Sequence, residues 1–296
     1  MVDHTLPRLA VLGTGLMGRP IAGRLLAAGY PVTVWNRTAD KASPLAAEGA
    51  VVAPSTAAAI RAAEAVVLML ADAAAIRDTL LPGEPADLLR GRTVIQMGTI
   101  APSESLELEA ALAEHGAGYL EAPVLGSIAE ASGGRLVVLV GASLEQFERW
   151  LPLLSALGPD PRLVGPPGHA AALKLALNQL IATITTAYAL GLGMVRRSGV
   201  DLELWAEIVR GSALYAPTFD KKFGRMVERQ FLPANFPARL LLKDLRLVVD
   251  EAKRIGLFAP FLEGLVAIVE RAVDAGFGEA DYSALAAAVE PPENPA

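Results

Sequence analysis

Four apolar residues, Leu9-Ala-Val-Leu12, run directly into Gly13-Thr14-Gly15-Leu16-Met17-Gly18, and a segment with helical spacing, Arg19 to Ala28, follows. Few short patterns restrict a fold more. The apolar run suits a buried parallel strand. The first glycine permits a tight turn, the second lets a pyrophosphate approach the backbone, and the third lets helix and strand pack closely. Gly29 is placed to close the helix as a C-cap, and Val32-Thr-Val-Trp35 reads as the next strand. A glycine pattern alone is weak. Between a strand and a helix, with a second strand after it, it predicts a dinucleotide on the free N–H groups of the helix start.

The residues after the second strand bear on which dinucleotide. A carboxylate there would bind the adenosine ribose hydroxyls and repel a 2′-phosphate. This chain has Asn36-Arg37-Thr38 instead. Arg37 offers charge and a planar donor fork, with Asn36 and Thr38 as neutral partners, so NADP(H) is favoured over NAD(H). Arg37 covering the adenine face is the plainer alternative.

Strand and helix patterns then alternate. Strands are predicted over 65–70, 93–97, 117–121 and 136–140, with helices among 56–63, 74–80 and 102–115. Ligands of such sheets bind beyond the carboxyl ends of the strands. After about Gly165 the strand pattern stops, and helices are predicted over 170–197, 202–211, 218–228, 240–255, 260–275 and 283–289. The fold class expected is an α/β Rossmann domain (1–165) followed by an all-α C-terminal domain (166–296), joined at Gly165-Pro-Pro-Gly168. A small substrate is expected in the crevice between the domains. The tail from Pro291 reads as frayed.

Length and composition agree with two domains. The chain has 296 residues, 53% of them hydrophobic and 20% charged, enough apolar material for two cores. Its net charge of −6 and its short basic pairs give no nucleic-acid footprint. The absence of cysteine excludes disulfides and thiolate sites, and the three scattered histidines lack metal-ligand spacing, so no metal is expected. No signal-peptide pattern opens the chain, and a cytoplasmic protein is expected.

The segment from Leu175 to Val195 carries no charge and is long enough to span a bilayer, but Asn178, Gln179, Tyr188 and three threonines favour a core helix over a membrane span. Lys174 stands at its head, with Asn178 four residues on and therefore on the same helical face. A cation beside so much apolar surface is either snorkelling to water or held for a purpose. The apolar excess of this helix points to a homodimer or a dimer of dimers through the helical halves.

Four stretches together resemble the β-hydroxyacid dehydrogenase family, which is related to the imine reductases and the 6-phosphogluconate dehydrogenases. They are Val11 to Pro20, Glu121 to Leu136, Gly168 to Asn178, and Lys243-Asp244-Leu245 with Gly276 to Ala284. The resemblance implies an NAD(P)-dependent enzyme that interconverts a hydroxyacid and its semialdehyde or ketone. It implies Lys174 as the catalytic lysine and Asn178 as its partner amide. It places Leu125, Gly126 and Ser127 in the loop that holds the substrate carboxylate. Thr99 and Lys243 fall on positions near the nicotinamide and its ribose, and Leu70 and Ala71 line the nucleotide.

The chain departs from the family loop. Glu121, Leu125 and Ser127 stand where aspartate, serine and glycine are usual, and Leu125 favours a more apolar substrate. Chemically, carbonyl reduction by hydride creates an alkoxide, which an ammonium group stabilises and protonates. Burial makes such an ammonium easier to deprotonate. Two other classes stay open. Imine reductases share the glycine loop and the Asn-Arg-Thr segment, but carry another residue at the lysine position. Chromatin-associated relatives are non-catalytic and lack that lysine.

Overall fold

The computed structural model describes residues 6–291, so His4 and the tail beyond Pro291 lie outside the described residues. The chain divides into two compact units, Met1–Lys174 and Leu175–Ala296.

The first unit is a nine-stranded, mostly parallel sheet flanked by helices. In chain order its elements are β1 (Leu9–Leu12), α1 (Gly18–Ala27), β2 (Val32–Trp35), β3 (Val51–Val52), α2 (Thr56–Arg61), β4 (Ala65–Leu68), α3 (Ala73–Leu80) and α4 (Glu84–Asp87). β5 (Thr93–Gln96), α5 (Pro102–Glu114), β6 (Gly118–Glu121), β7 (Val124–Leu125), α6 (Ile128–Ser132), β8 (Val137–Gly141), α7 (Leu144–Leu157) and β9 (Arg162–Gly165) follow. The sheet order is β3-β2-β1-β4-β5-β6-β8-β7, with β9 pairing β8. Strands β1 to β6 run parallel in register, Leu12 beside Trp35 and Leu68, and Leu68 beside Gln96. Their carboxyl ends therefore lie along one edge. β8 is antiparallel to β6 and β7.

β1, β4 and β5 are buried along their whole length, as central parallel strands are; β1 and β4 are unbroken apolar runs, and β5 carries Val94 and Ile95 between the buried polar residues Thr93 and Gln96. One core packs Ile21, Leu25, Val34, Val67, Ile95, Trp150 and Leu154 against the sheet; the other packs Ile60, Leu68, Ile76, Val94, Leu108 and Leu112. Ser55, Asp72 and Ser143 cap α2, α3 and α7 by accepting from backbone N–H groups.

The long helix α8 (His169–Arg197) leaves the first unit and continues into the second. It is long and apolar enough by composition to cross a membrane, and 44% of its most apolar window is buried. The second unit adds α9 (Leu202–Arg210), α10 (Pro217–Glu228), α11 (Ala238–Arg254), α12 (Phe261–Ala272) and α13 (Leu285–Val289). A one-turn π-helix, Val273–Phe277, follows α12, and a 3-10 turn, Tyr282–Ala284, precedes α13. Its main core joins Leu241, Leu245, Leu265, Val269 and Leu285. A second cluster gathers Tyr188, Phe219, Phe223 and Met226, with the Tyr188 and Phe219 rings stacked 4.2 Å apart.

Candidate active site

The glycine turn is built as its residue types require. Gly13 has φ +96, a conformation that L side chains rarely adopt, and its N–H donates to Trp35 O at 2.9 Å. A Cβ on Gly18 would come 1.8 Å from Gly13 O, so only glycine lets α1 start this close to β1. Gly15 differs: nothing lies within 4 Å of where its Cβ would be. That glycine answers to no packing among the described residues, and it leaves the backbone bare where a phosphate is expected. Thr14 is buried, and its Oγ1 has no hydrogen-bond partner among the described residues. Met17 precedes α1 without a side-chain cap, and Leu16 beside it is exposed. These features fit a dinucleotide pyrophosphate at the start of α1.

Asn36 has a role that the sequence did not disclose. Its Oδ1 accepts from Thr14 N at 3.0 Å and its Nδ2 donates to Thr38 O at 2.9 Å. The amide thus ties the end of β2 to the glycine turn, and both its ends are committed to backbone rather than held out to a ligand. Arg37 and Thr38 are exposed just beyond it.

The other expected nucleotide residues lie past the carboxyl ends of neighbouring strands. Leu70, half-buried, and Ala71, exposed, follow β4; Thr99 follows β5. Gln96 shapes the second of these turns, accepting from Gly98 N at 2.7 Å and donating to Gly98 O at 3.0 Å. Leu125 ends β7, Gly126 takes φ +130, and Ser127 is the N-cap of α6. Ser127 N donates to Glu130 Oε2 at 2.8 Å and its hydroxyl also donates to that carboxylate, so the hydroxyl expected to meet a substrate carboxylate instead spends its proton on Glu130 in the first turn of α6.

Lys174 and Asn178 are both buried on α8. Lys174 closes the first unit, and Asn178, one turn on, belongs to the second. Asn178 Nδ2 donates to Asp244 Oδ2 at 2.7 Å. Lys243 Nζ lies 2.8 Å from Asp244 Oδ1, so α11 presents Lys243 and Asn178's partner side by side. A carboxylate only accepts. The amide nitrogen must therefore face Asp244, which leaves Asn178 Oδ1 outside that bond, and that oxygen has no hydrogen-bond partner among the described residues. The sequence marked Asn178 as the partner amide of Lys174 and placed Asp244 in a separate family-like stretch. What it could not show is that the two side chains meet across 66 residues.

Residues 8–165 match the family model described as the NAD binding domain of 6-phosphogluconate dehydrogenase. Residues 168–289 match the one described as the NAD-binding of NADP-dependent 3-hydroxyisobutyrate dehydrogenase. An uncharacterized oxidoreductase of Bacillus subtilis, YfjR, is 35% identical over 94% of this chain and 98% of its own length. Glyoxylate/succinic semialdehyde reductase 1 of Arabidopsis thaliana is 30% identical over 94% of this chain and 96% of its own. The crystal structure of a 3-hydroxyisobutyrate dehydrogenase from Salmonella typhimurium aligns with a TM-score of 0.86 at 26% identity, covering 94% of this chain and 98% of that one.

Proposed function

From the premise that this chain belongs to the β-hydroxyacid dehydrogenase family and is an NAD(P)-dependent dehydrogenase/reductase, we propose that it reduces a short semialdehyde or ketoacid with NADPH, Lys174 acting as the acid. The observation that carries the proposal is a lysine buried on α8, with a buried amide one turn on.

When bound, the nicotinamide supplies or accepts the hydride. Gly13 to Gly18 hold the pyrophosphate, Leu70, Ala71 and Thr99 line the nucleotide, and Lys243 meets the nicotinamide ribose. Arg37 and Thr38 receive the 2′-phosphate, with Asn36 holding their loop to Thr14. The exposed guanidinium, with no carboxylate at 36–38, supports NADP(H) over NAD(H). Lys174 Nζ gives a proton to the oxygen of the reduced carbonyl and takes it back in the oxidative direction. Asn178 Oδ1 accepts a hydrogen bond and so helps orient that ammonium or the substrate hydroxyl. Leu125, Gly126 and Ser127 form the substrate loop. Leu125 supports a substrate with an apolar body, and Glu130 beside Ser127 supports one that places its anionic group on backbone N–H rather than on that hydroxyl.

A panel of glyoxylate, succinic semialdehyde, more apolar semialdehydes and a cyclic imine, each with NADPH and NADH, tests this reading. Turnover of a carbonyl compound at higher kcat/KM with NADPH is expected. Reduction of the imine alone would transfer the chain to imine chemistry, and no turnover of any member would end the proposed substrate reading.

A further inference from the structure

Glu121 ends β6, and its side chain is 2% exposed. A buried carboxylate persists only where its oxygens are satisfied. Oε1 accepts from the backbone N–H of Ala170 at 2.7 Å and of Ala171 at 3.3 Å. Oε2 accepts from Ser105 Oγ at 2.5 Å, and Ser105 Oγ lies 2.8 Å from Tyr119 OH. The serine has one proton and spends it on Glu121, so Tyr119 is the donor to Ser105. Burial pushes the Tyr119 phenol well up, against the opposing pull of its bond to Ser105, so that donor keeps its proton.

Ala170 and Ala171 belong to the first turn of α8, where backbone N–H groups lack partners within the helix and the dipole favours negative charge. Glu121 meets both needs. Lys174 stands four residues after Ala170, on the same face and in the same compact unit as Glu121. Space for the long acid comes from β8. Gly141 pairs with Glu121 across the sheet, and a Cβ there would come 2.1 Å from Glu121 Oε1.

We propose that Glu121 is a positioning residue for Lys174: its carboxylate pins the first turn of α8 to the end of β6 and so fixes where the lysine is presented, with Gly141 keeping the room it needs. The inference rests on the reading of Lys174 as the acid. A misplacement of about 1 Å costs a catalytic group up to about a hundredfold, so loosening this turn lowers kcat rather than cofactor affinity.

The test is a double-mutant cycle between Glu121→Gln and Lys174→Ala, read under single turnover with NADPH and the fastest carbonyl substrate of the panel, alongside NADPH affinity by fluorescence. Glu121→Gln keeps the shape and removes the charge. It is expected to slow turnover about tenfold in the native background, and less than about twofold once Lys174 is alanine, with NADPH affinity unchanged. Gly141→Ala, which displaces the acid, should reproduce the loss. Ser105→Ala enters the same cycle if Glu121→Gln does not fold. Equal losses in both Lys174 backgrounds would make Glu121 merely structural and overturn the proposal, as would native turnover in both the Glu121 and Gly141 variants. Native turnover in Lys174→Ala alone would instead sink the underlying reading, as would a panel with no turnover, and the inference would fall with it.

Discussion

At the scale of single residues, Lys174 and Asp244 carry the sharpest expectations. Removing the proposed acid, Lys174→Ala, should lower turnover by roughly two to four orders of magnitude, the usual worth of a positioned acid–base group, with NADPH affinity kept. Steady-state kinetics beside a cofactor titration checks both halves. Asp244 acts at one remove. By taking Asn178 Nδ2 at 2.7 Å it dictates that the amide offers an oxygen. Asp244→Asn is nearly isosteric but presents either a donor or an acceptor, so the Asn178 amide is no longer held one way round. Turnover should fall about tenfold, a lost charge-assisted hydrogen bond being worth about 1.5–3 kcal/mol. Unchanged kinetics in a folded Asp244→Asn enzyme would remove Asp244 from the site.

At the scale of elements, what was legible in the sequence follows from local rules. The glycine turn, β1, β2, α1 and α8 each announce themselves through contiguous residues: an apolar run, a glycine spacing, an unbroken helical pattern. β3, β7 and β9 did not. Two have only two residues, and β9 has just Leu163 and Val164 between Arg162 and Gly165, so no apolar run marks them; the ladder partner defines them instead. α7 escaped for another reason, since Pro152 interrupts a pattern that the Ser143 cap and buried Trp150, Leu153 and Leu154 nevertheless hold as helix. The candidate site was legible in the same measure. Gly13, Gly18 and Lys174 stand in local patterns, whereas the bonds of Asn178 to Asp244 and of Glu121 to α8 join residues far apart in the chain and leave no periodic trace.

The join between α10 and the turn before α13 is another such long-range device. Lys222 Nζ sits 2.8 and 2.9 Å from the two oxygens of Asp281 and 4.1 Å from the centre of the Tyr282 ring. Asp281 also accepts from the backbone N–H of Ser283 and Asn235. Burial alone would raise the Asp281 pKa, but Lys222 and the bond from Ser283 hold it below the ordinary value. Because the folded value is the lower one, the stabilisation is complete above the unfolded pKa of about 3.9 and is lost as pH falls through the folded value. Asp281→Asn leaves the lysine buried without its counter-charge and should cost about 3–5 kcal/mol at neutral pH. Urea denaturation at pH 7 and at pH 3 checks this: the gap between native and variant should narrow in acid, and a gap that does not change with pH would contradict it.

At the scale of the whole molecule, the sheet unit and the helical unit treat their apolar residues differently. The sheet has two buried faces, and the described core residues of the first unit pack onto one or the other. In the second unit, α8 leaves Leu190 and Met194 more than half exposed, and α9 does the same with Leu204 and Ile208. Each pair is four residues apart and so forms part of one helical face. At about 25 cal/mol per Å² of apolar surface removed from water, covering both faces with the same faces of a second copy yields a substantial association energy. A two-fold arrangement lets one self-complementary patch serve both partners. The molecule should therefore sediment at about twice 30.9 kDa at micromolar concentration. Met194→Lys with Ile208→Lys puts like charges into that patch and should shift the species to the monomer, while the far-UV circular dichroism stays that of the folded chain. Native protein that sediments as a monomer across the micromolar range, or a charged variant that remains dimeric, would show that these two helix faces are not what the copies bury.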